Sequence, residues 1–265
     1  MFASFIPTPT VSQISVGPLT IHAYALCIIA GIVVAIKLGD TRFRRAGGAP
    51  GVVSDIALWA VPAGVVGGRI YHVITTPEYF FGANGNFVDA FKIWQGGLGI
   101  WGAIAFGAAA AYWRYKKTNT ELTFAVFADA LAPGILIAQG IGRFGNWFNG
   151  ELFGVPTTLP WALEIPSWLR PSGFTDFATF HPTFLYEAIC NFLLALILIK
   201  LGDRFQPGKI FALYVTGYCG YRFLIEGLRI DRAHDLMGLR LNQWVSLVVG
   251  IFAALRFLKK GSLVE

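Results

Sequence analysis

Leu19-Thr20-Ile21-His22-Ala23-Tyr24-Ala25-Leu26-Cys27-Ile28-Ile29-Ala30-Gly31-Ile32-Val33-Val34-Ala35-Ile36-Lys37-Leu38-Gly39 carries one side chain charged at neutral pH, Lys37. About 20 apolar residues in a row are what a helix needs to cross a hydrocarbon core. Six more runs of that kind, each bounded by charges or turn residues, lie at about 52–74, 93–113, 121–141, 182–201, 209–227 and 242–258. They explain the composition of the 265 residues, 55% hydrophobic and 14% charged, with a mean hydropathy of +0.59. A soluble domain carries about a quarter charged residues, so an ordinary soluble enzyme is excluded. Long apolar runs and 15% aromatic residues exclude disorder. Residues 1–20 lack a basic n-region and are interrupted by Pro7, Pro9 and Pro18, so no cleavable signal peptide is expected and the first span directs insertion.

Short cytoplasmic loops collect Lys and Arg. Thirteen basic residues follow spans one, three, five and seven: Lys37, Arg42, Arg44 and Arg45, then Arg114, Lys116 and Lys117, then Lys200, Arg204 and Lys209, then Arg256, Lys259 and Lys260. The opposite loops hold five, Lys92, Arg170, Arg229, Arg232 and Arg240. The expected fold is therefore all-α, a polytopic membrane protein of about seven transmembrane helices. Its N-terminus is outside and its C-terminus cytoplasmic, with one transmembrane domain over 1–265. Segment 146–181, marked by the interfacial aromatics Trp147, Phe148, Trp161 and Trp168, is expected as a small extracytoplasmic cap. The net charge of +6 reads as topology and contact with anionic lipid, not as a nucleic-acid footprint. Cys27, Cys190 and Cys219 sit in apolar runs without ligand spacing, so neither a disulfide framework nor a metal site is expected, and no cofactor. Gly64 and Gly68 form a small-residue pair suited to close helix packing.

Arg69, Arg143 and Arg222 remain, within spans or at their edges, with Glu151, Glu187 and Glu226 also near spans. An arginine at depth costs several kcal/mol unless it meets a carboxylate, a carbonyl or water, and by default marks function. The densest polar cluster is expected where the fourth span ends, with Gln139, Gly140, Gly142, Arg143, Gly145, Asn146, Asn149, Gly150, Glu151 and Gly154. A guanidinium binds phosphate bidentately, and main-chain N–H groups freed by glycine-rich irregularity add donors. This is the composition of a phosphate-reading site; a Gly/Asn-rich helix end with an interfacial arginine is the plainer alternative.

Gly142-Arg143-Phe144-Gly145-Asn146-Trp147-Phe148-Asn149-Gly150-Glu151-Leu152-Phe153-Gly154 resembles the prolipoprotein diacylglyceryl transferase motif G-R-x-G-N-F-x-N-x-E-x-x-G, with Trp147 in place of Phe. Further segments resemble the family in order: Ile21 to Leu26; Gly67-Gly68-Arg69-Ile70-Tyr71; Trp94-Gln95-Gly96-Gly97-Leu98; His181-Pro182-Thr183-Phe184-Leu185-Tyr186-Glu187; and Tyr221-Arg222-Phe223-Leu224-Ile225-Glu226. The resemblance implies a multi-pass enzyme of the bacterial plasma membrane that moves the diacylglyceryl group of phosphatidylglycerol to the lipobox cysteine thiol of a prolipoprotein. The products are a thioether and glycerol 1-phosphate. The implied partners are that lipid, the prolipoprotein signal peptide with its lipobox, and membrane lipids.

That chemistry needs a thiolate and donors for the leaving phosphate. Arg143 is assigned to the phosphate or glycerol head group, Asn146 and Asn149 to positioning it, and Gly142 and Gly145 to close approach. Arg222 and Glu226, four apart on one helix face, offer a second phosphate contact, the carboxylate orienting the arginine or taking a proton; a structural ion pair is the alternative. Glu151 is the other candidate base or orienter. Tyr24 reads equally as a hydrogen-bonding partner of lipid or thiol and as packing. Arg69 is expected to face the lipid cavity or to pair with Asp55. His181, before Pro182, is read as a helix-start residue or a substrate contact, while His234 falls in an outer loop. Many family members carry a histidine where this chain has Trp101, which cannot accept a proton. A transporter or channel for an anionic solute is the reading from another class; a protease lacks its motifs here, and a scaffold leaves the cluster unexplained.

Overall fold

The computed structural model describes residues 5–17, 19–82, 85–93, 96–231 and 235–259. Trp94, Gln95, Arg232, His234 and Lys260, and Pro18, lie outside the described residues. The helices are α1 (Ala23–Arg45), α2 (Val52–Thr75), α3 (Glu78–Phe81), α4 (Ile100–Tyr115), α5 (Phe124–Asn149), α6 (Thr183–Leu201), α7 (Lys209–Glu226) and α8 (Leu241–Leu258). Of these, α1, α2, α5, α6 and α8 are long and apolar enough to cross a membrane. In α1 and α8 only 11% of the apolar stretch is buried within the protein, which leaves lipid as the medium that covers them.

Three helices depart from their expected spans. The first run was expected over 19–39, but Leu19–His22 pairs as a strand and α1 covers Ala23–Arg45. The third run was expected from residue 93, but α4 starts at Ile100, because Gly96 and Gly97 have φ of +84° and +72°, left-handed angles that a helix cannot continue through. The fourth was expected to end near 141, yet α5 runs on to Asn149 and contains Gly140, Gly142 and Gly145. Those glycines do not break the helix. A Cβ on Gly140 would lie 2.6 Å from the Phe192 ring and one on Gly145 2.5 Å from the Tyr24 ring, so they give room to neighbours. The left-handed turn comes afterwards, at Gly150 and Leu152, with φ of +61° and +59°.

The chain divides into two compact units, one of Met1–Gly39 with Ala125–Glu265 and one of Asp40–Phe124. In the first, Ala132, Leu136, Ala195, Leu198 and Ile210 bury a core between α5, α6 and α7. Gly31 and Gly134 let α1 and α5 approach so closely that a Cβ on either would come within 3.0 Å of a facing main-chain oxygen. Asp129 accepts from the main-chain N–H groups of Gly208 (2.6 Å) and Phe211 (2.7 Å), satisfying the open donors at the start of α7. Segment 146–181 begins within α5 and then forms a small body together with the N-terminal strand and the start of α6. There β1 (Ile6–Pro7) runs parallel to β4 (Leu163–Glu164), which pairs antiparallel with β5 (Thr179–Phe180). Phe153, Leu163, Ile165, Phe180 and Phe184 form its core, and Trp147 stacks on Phe184 at 5.7 Å. A hairpin of β2 (Gln13–Val16) and β3 (Leu19–His22) precedes α1, and a shorter one, β6 (Asp235–Leu236) with β7 (Leu239–Arg240), precedes α8.

In the second unit α2 packs on α4 almost backbone to backbone. A Cβ on Gly67 would sit 2.6 Å from the Gly102 carbonyl oxygen, and one on Gly64 3.3 Å from that of Ala103. Gly64 and Gly68 thus do serve close packing. Asp55 pairs with Arg114 at 2.8 Å, so the expected partnership of Asp55 with Arg69 is not formed.

Candidate active site

The site is built on Glu187, in the second turn of α6 and 2% exposed. One carboxylate oxygen contacts Arg143 of α5 at 2.6 Å and the other Arg222 of α7 at 2.6 Å. Arg222 reaches Glu226 one turn further on, also at 2.6 Å. Glu226, fully buried, further meets Arg229 at 3.4 Å, Arg240 at 3.5 Å and the amide of Asn242 at 3.1 Å. Arg229 then forms a two-pronged contact with Asp231 at 2.7 and 2.9 Å, which Arg240 also touches at 3.1 Å. Four guanidiniums and three carboxylates are linked in this row by ion pairs, and Glu151, reached through Asn146, is the fourth carboxylate of the cluster.

The other end of the row is more open. Arg143 donates to the Asn146 side-chain oxygen at 3.3 Å, and Asn146 in turn donates to Glu151 Oε1 at 3.0 Å. Asn149 donates to that same oxygen at 3.0 Å. Asn146 is buried, whereas Glu151 is exposed. Tyr24 lies over the backbone at Gly145 and within electrostatic reach of Glu151 and Arg143. Gly142 leaves its space to Ile28. After the left-handed turn, Gly154 threads between α6 and the end of α7, where a Cβ would meet His181 at 2.9 Å and the Leu228 carbonyl at 3.0 Å. Thr183 pins this strand by donating to the Leu152 carbonyl.

Chemically, the two ends are unequal. Glu226 is fully buried, accepts a hydrogen bond from Asn242 at Oε1 and lies in ion-pair contact with Arg222, Arg229 and Arg240; closed off by three guanidiniums, it orients arginines. Glu151 uses one oxygen for two amides and leaves Oε2 without a hydrogen bond among the described residues. Arg143 gives one of the five N–H groups of a guanidinium to Asn146, faces Glu187 as an ion pair and is 20% exposed at its side chain, so it keeps donors for a ligand. Outside the helices, burial alone would raise the Asp231 carboxyl, but the hydrogen bond and charge of Arg229 with the charge of Arg240 outweigh it and hold the group below the usual carboxylate range.

Arg143, Arg222, Glu226, Asn146, Asn149, Glu151 and Tyr24 are thus brought into one cluster with Gly142 and Gly145. His181 is placed beside it and does not cap α6, whose N-cap residue is Pro182 with no side-chain cap. Its Nδ1 instead shares a 3.0 Å hydrogen bond with the Tyr186 hydroxyl, which accepts from the Trp161 indole N–H at 3.1 Å. Arg69 has another task altogether. Its guanidinium donates to the main-chain carbonyls of Asp89, Ala90 (2.9 Å), Gly96 (2.6 Å) and Gly97 (3.0 Å). Reading from sequence gave Glu187 no role, although it closes the His181 to Glu187 segment. Arg229 and Arg240 were counted as loop charges; both are drawn into the network.

The family description Prolipoprotein diacylglyceryl transferase matches residues 10–258. A phosphatidylglycerol–prolipoprotein diacylglyceryl transferase of Streptomyces coelicolor is 51% identical over 94% of this chain and 78% of its own length. Those of Bifidobacterium adolescentis and Corynebacterium diphtheriae are 47% and 48% identical, over 97% and 98% of this chain and 80% and 96% of their own lengths. A match that runs through every helix carrying the arginine row leaves one assignment: the chain belongs to the prolipoprotein diacylglyceryl transferase family.

Proposed function

We propose that this protein transfers the diacylglyceryl group of phosphatidylglycerol to the thiol of a prolipoprotein lipobox cysteine. Its relatives are named for that lipid and that protein substrate, which favours the transferase over an anion pathway. The observation that carries the reading is the Glu187 bridge, which holds two guanidiniums at 2.6 Å from one buried carboxylate and leaves Arg143 with donors to spare. Sulfur attacks the glycerol carbon that bears the phosphate ester; a C–S bond forms, the C–O bond breaks and its electron pair leaves on glycerol 1-phosphate. Arg143 and Arg222 meet that charge with donors already oriented. A cysteine thiol has a pKa of about 8.5 and needs a proton acceptor at neutral pH.

We assign that task to Glu151, the one carboxylate of the cluster that is exposed and has an oxygen uncommitted, with Tyr24 as the hydroxyl beside it. Asn146 ties Glu151 to Arg143, so the groups that meet sulfur and phosphate are held by one amide. Trp101 offers no basic atom, and this chain's acceptor lies on the α5 cluster instead. His181, held by Tyr186, is the additional contact assigned to substrate. The proposed setting is the bacterial plasma membrane, with seven crossings, the N-terminus and the 146–181 body outside, and the C-terminus cytoplasmic.

The test uses purified protein in nanodiscs with isotope-labelled phosphatidylglycerol and a lipobox peptide, read by mass. The peptide is expected to gain one diacylglyceryl group, and a peptide of unchanged mass with folded protein overturns the reading. In the same assay Glu151→Gln should lose turnover most steeply near neutral pH and recover toward the thiol's own pKa; a flat deficit across pH assigns Glu151 to orientation.

A further inference from the structure

Between α2 and α4 the chain carries a large apolar surface that the arginine row does not use. Tyr79 and Phe81 of α3 are 66% and 62% exposed, and Phe87, Val88 and Phe91 of the following 3-10 turn (Phe87–Phe91) are 55%, 59% and 67% exposed. Phe81, Phe87 and Phe91 touch in series, with ring centroids 5.8 and 5.4 Å apart. The inner side is different. Phe80 is buried, with the Arg69 guanidinium 5.3 Å from its ring and His72 edge-on at 5.7 Å. The charges of the turn are neutralised locally, Lys92 meeting Asp89 at 2.6 Å.

Non-helical backbone is tolerated in contact with lipid only where its polar groups are satisfied within the protein. Arg69 does that here. Its donors face the carbonyls of Asp89, Ala90, Gly96 and Gly97 and turn them inward, away from the aromatic side. We infer that α3 and the Phe87–Phe91 turn form an interfacial plate seated in the bilayer at the boundary of head groups and acyl chains, with Arg69 as the clamp that makes its backbone compatible with lipid. Lipid is the occupant because the plate follows directly on α2, a helix apolar enough to cross, whose final turns expose Ile70 and Ile74. Apolar exposure resumes on α4 with Ile100 and Ile104. Amphipathic aromatic elements of this kind lie in the interface plane. The inference stands apart from the transfer reaction and does not need it.

The test places a nitroxide at Phe91 (Phe91→Cys, with Cys27, Cys190 and Cys219 replaced by Ala) in phosphatidylglycerol nanodiscs and measures collisions with oxygen, which enters lipid, and with a nickel chelate, which stays in water. Labels at Leu255→Cys on α8 and Asp176→Cys in the 146–181 body serve as lipid and water references. The oxygen-to-nickel ratio at 91 is expected within about twofold of that at 255 and about tenfold above that at 176. A ratio like that at 176, or shielding from both reagents by another protein surface, overturns the plate. Arg69→Gln should raise nickel contact at 91 and leave 255 unchanged; no change at 91 overturns the clamp. If that variant does not fold, the ratio in the protein with Arg69 intact still decides whether the plate is in lipid.

Discussion

Arg69 and Arg143 are both arginines inside helices of an apolar protein, and their surroundings could hardly differ more. Arg69 is buried against the ends of neutral carbonyl dipoles, donating to four of them. Arg143 faces a buried carboxylate and an amide, and is partly open. The lesson is that depth by itself does not mark a binding group. What separates the two is the number of N–H groups already committed and whether the partner is itself charged and held by a second cation. The carbonyl cage is closed; the carboxylate bridge is a link in a row that ends on a partly exposed guanidinium.

Glu187→Gln attacks the bridge itself and should have the largest effect. Removing one partner of a buried ion pair costs about 3–5 kcal/mol, and here two guanidiniums lose their carboxylate at once. Thermal unfolding should fall accordingly, and diacylglyceryl transfer by the folded fraction should drop below detection; wild-type transfer would remove the bridge from the mechanism. Arg143→Lys keeps the charge and loses the fork. A charge-assisted hydrogen bond is worth about 1.5–3 kcal/mol, so kcat/KM for lipid should fall roughly 10- to 100-fold with little change in the unfolding midpoint.

Arg69→Gln inverts that pattern. It leaves carbonyls without donors at about 1–3 kcal/mol each, so stability should fall while kcat/KM of the folded fraction stays near wild type. Equal losses of kcat/KM in the Arg69 and Arg143 variants would erase the distinction drawn between them. The smallest effect is at Asp231. Its carboxyl is held below its unfolded value, so its contribution is full above the usual carboxylate range, about pH 4, and is lost as pH falls through the lowered value. Asp231→Asn should therefore narrow its stability gap to the parent only in acid, as an unfolding series from pH 7 to pH 3 would show.

Much of the helix layout was legible because hydropathy is a local property. Runs read at 52–74, 182–201, 209–227 and 242–258 agree within a residue or two with α2, α6, α7 and α8. Of the three that moved, α1 lost its first residues to the strand Leu19–His22, and the other two moved at glycines. Gly96 and Gly97 stop a helix through left-handed φ, while Gly140, Gly142 and Gly145 continue one, since a glycine needed for a close neighbour has the same letter as one needed for a turn. Motif spacing likewise placed Arg143, Asn146, Asn149 and Glu151 together, since all lie within nine residues at the end of one helix.

By itself, then, the sequence determined the solvent, the helical class, the family and the residue types available for phosphate chemistry. All of these follow from composition and short-range pattern. The tertiary structure decided which charge meets which. Glu187 joins Arg222 from 35 positions away, Arg240 reaches Glu226 from another helix boundary, and Arg69 turns to carbonyls instead of Asp55. Pairing across helices depends on their rotation and separation, which no periodicity along the chain encodes, and in a low-dielectric interior that pairing is what makes one arginine a clamp and another a binding group.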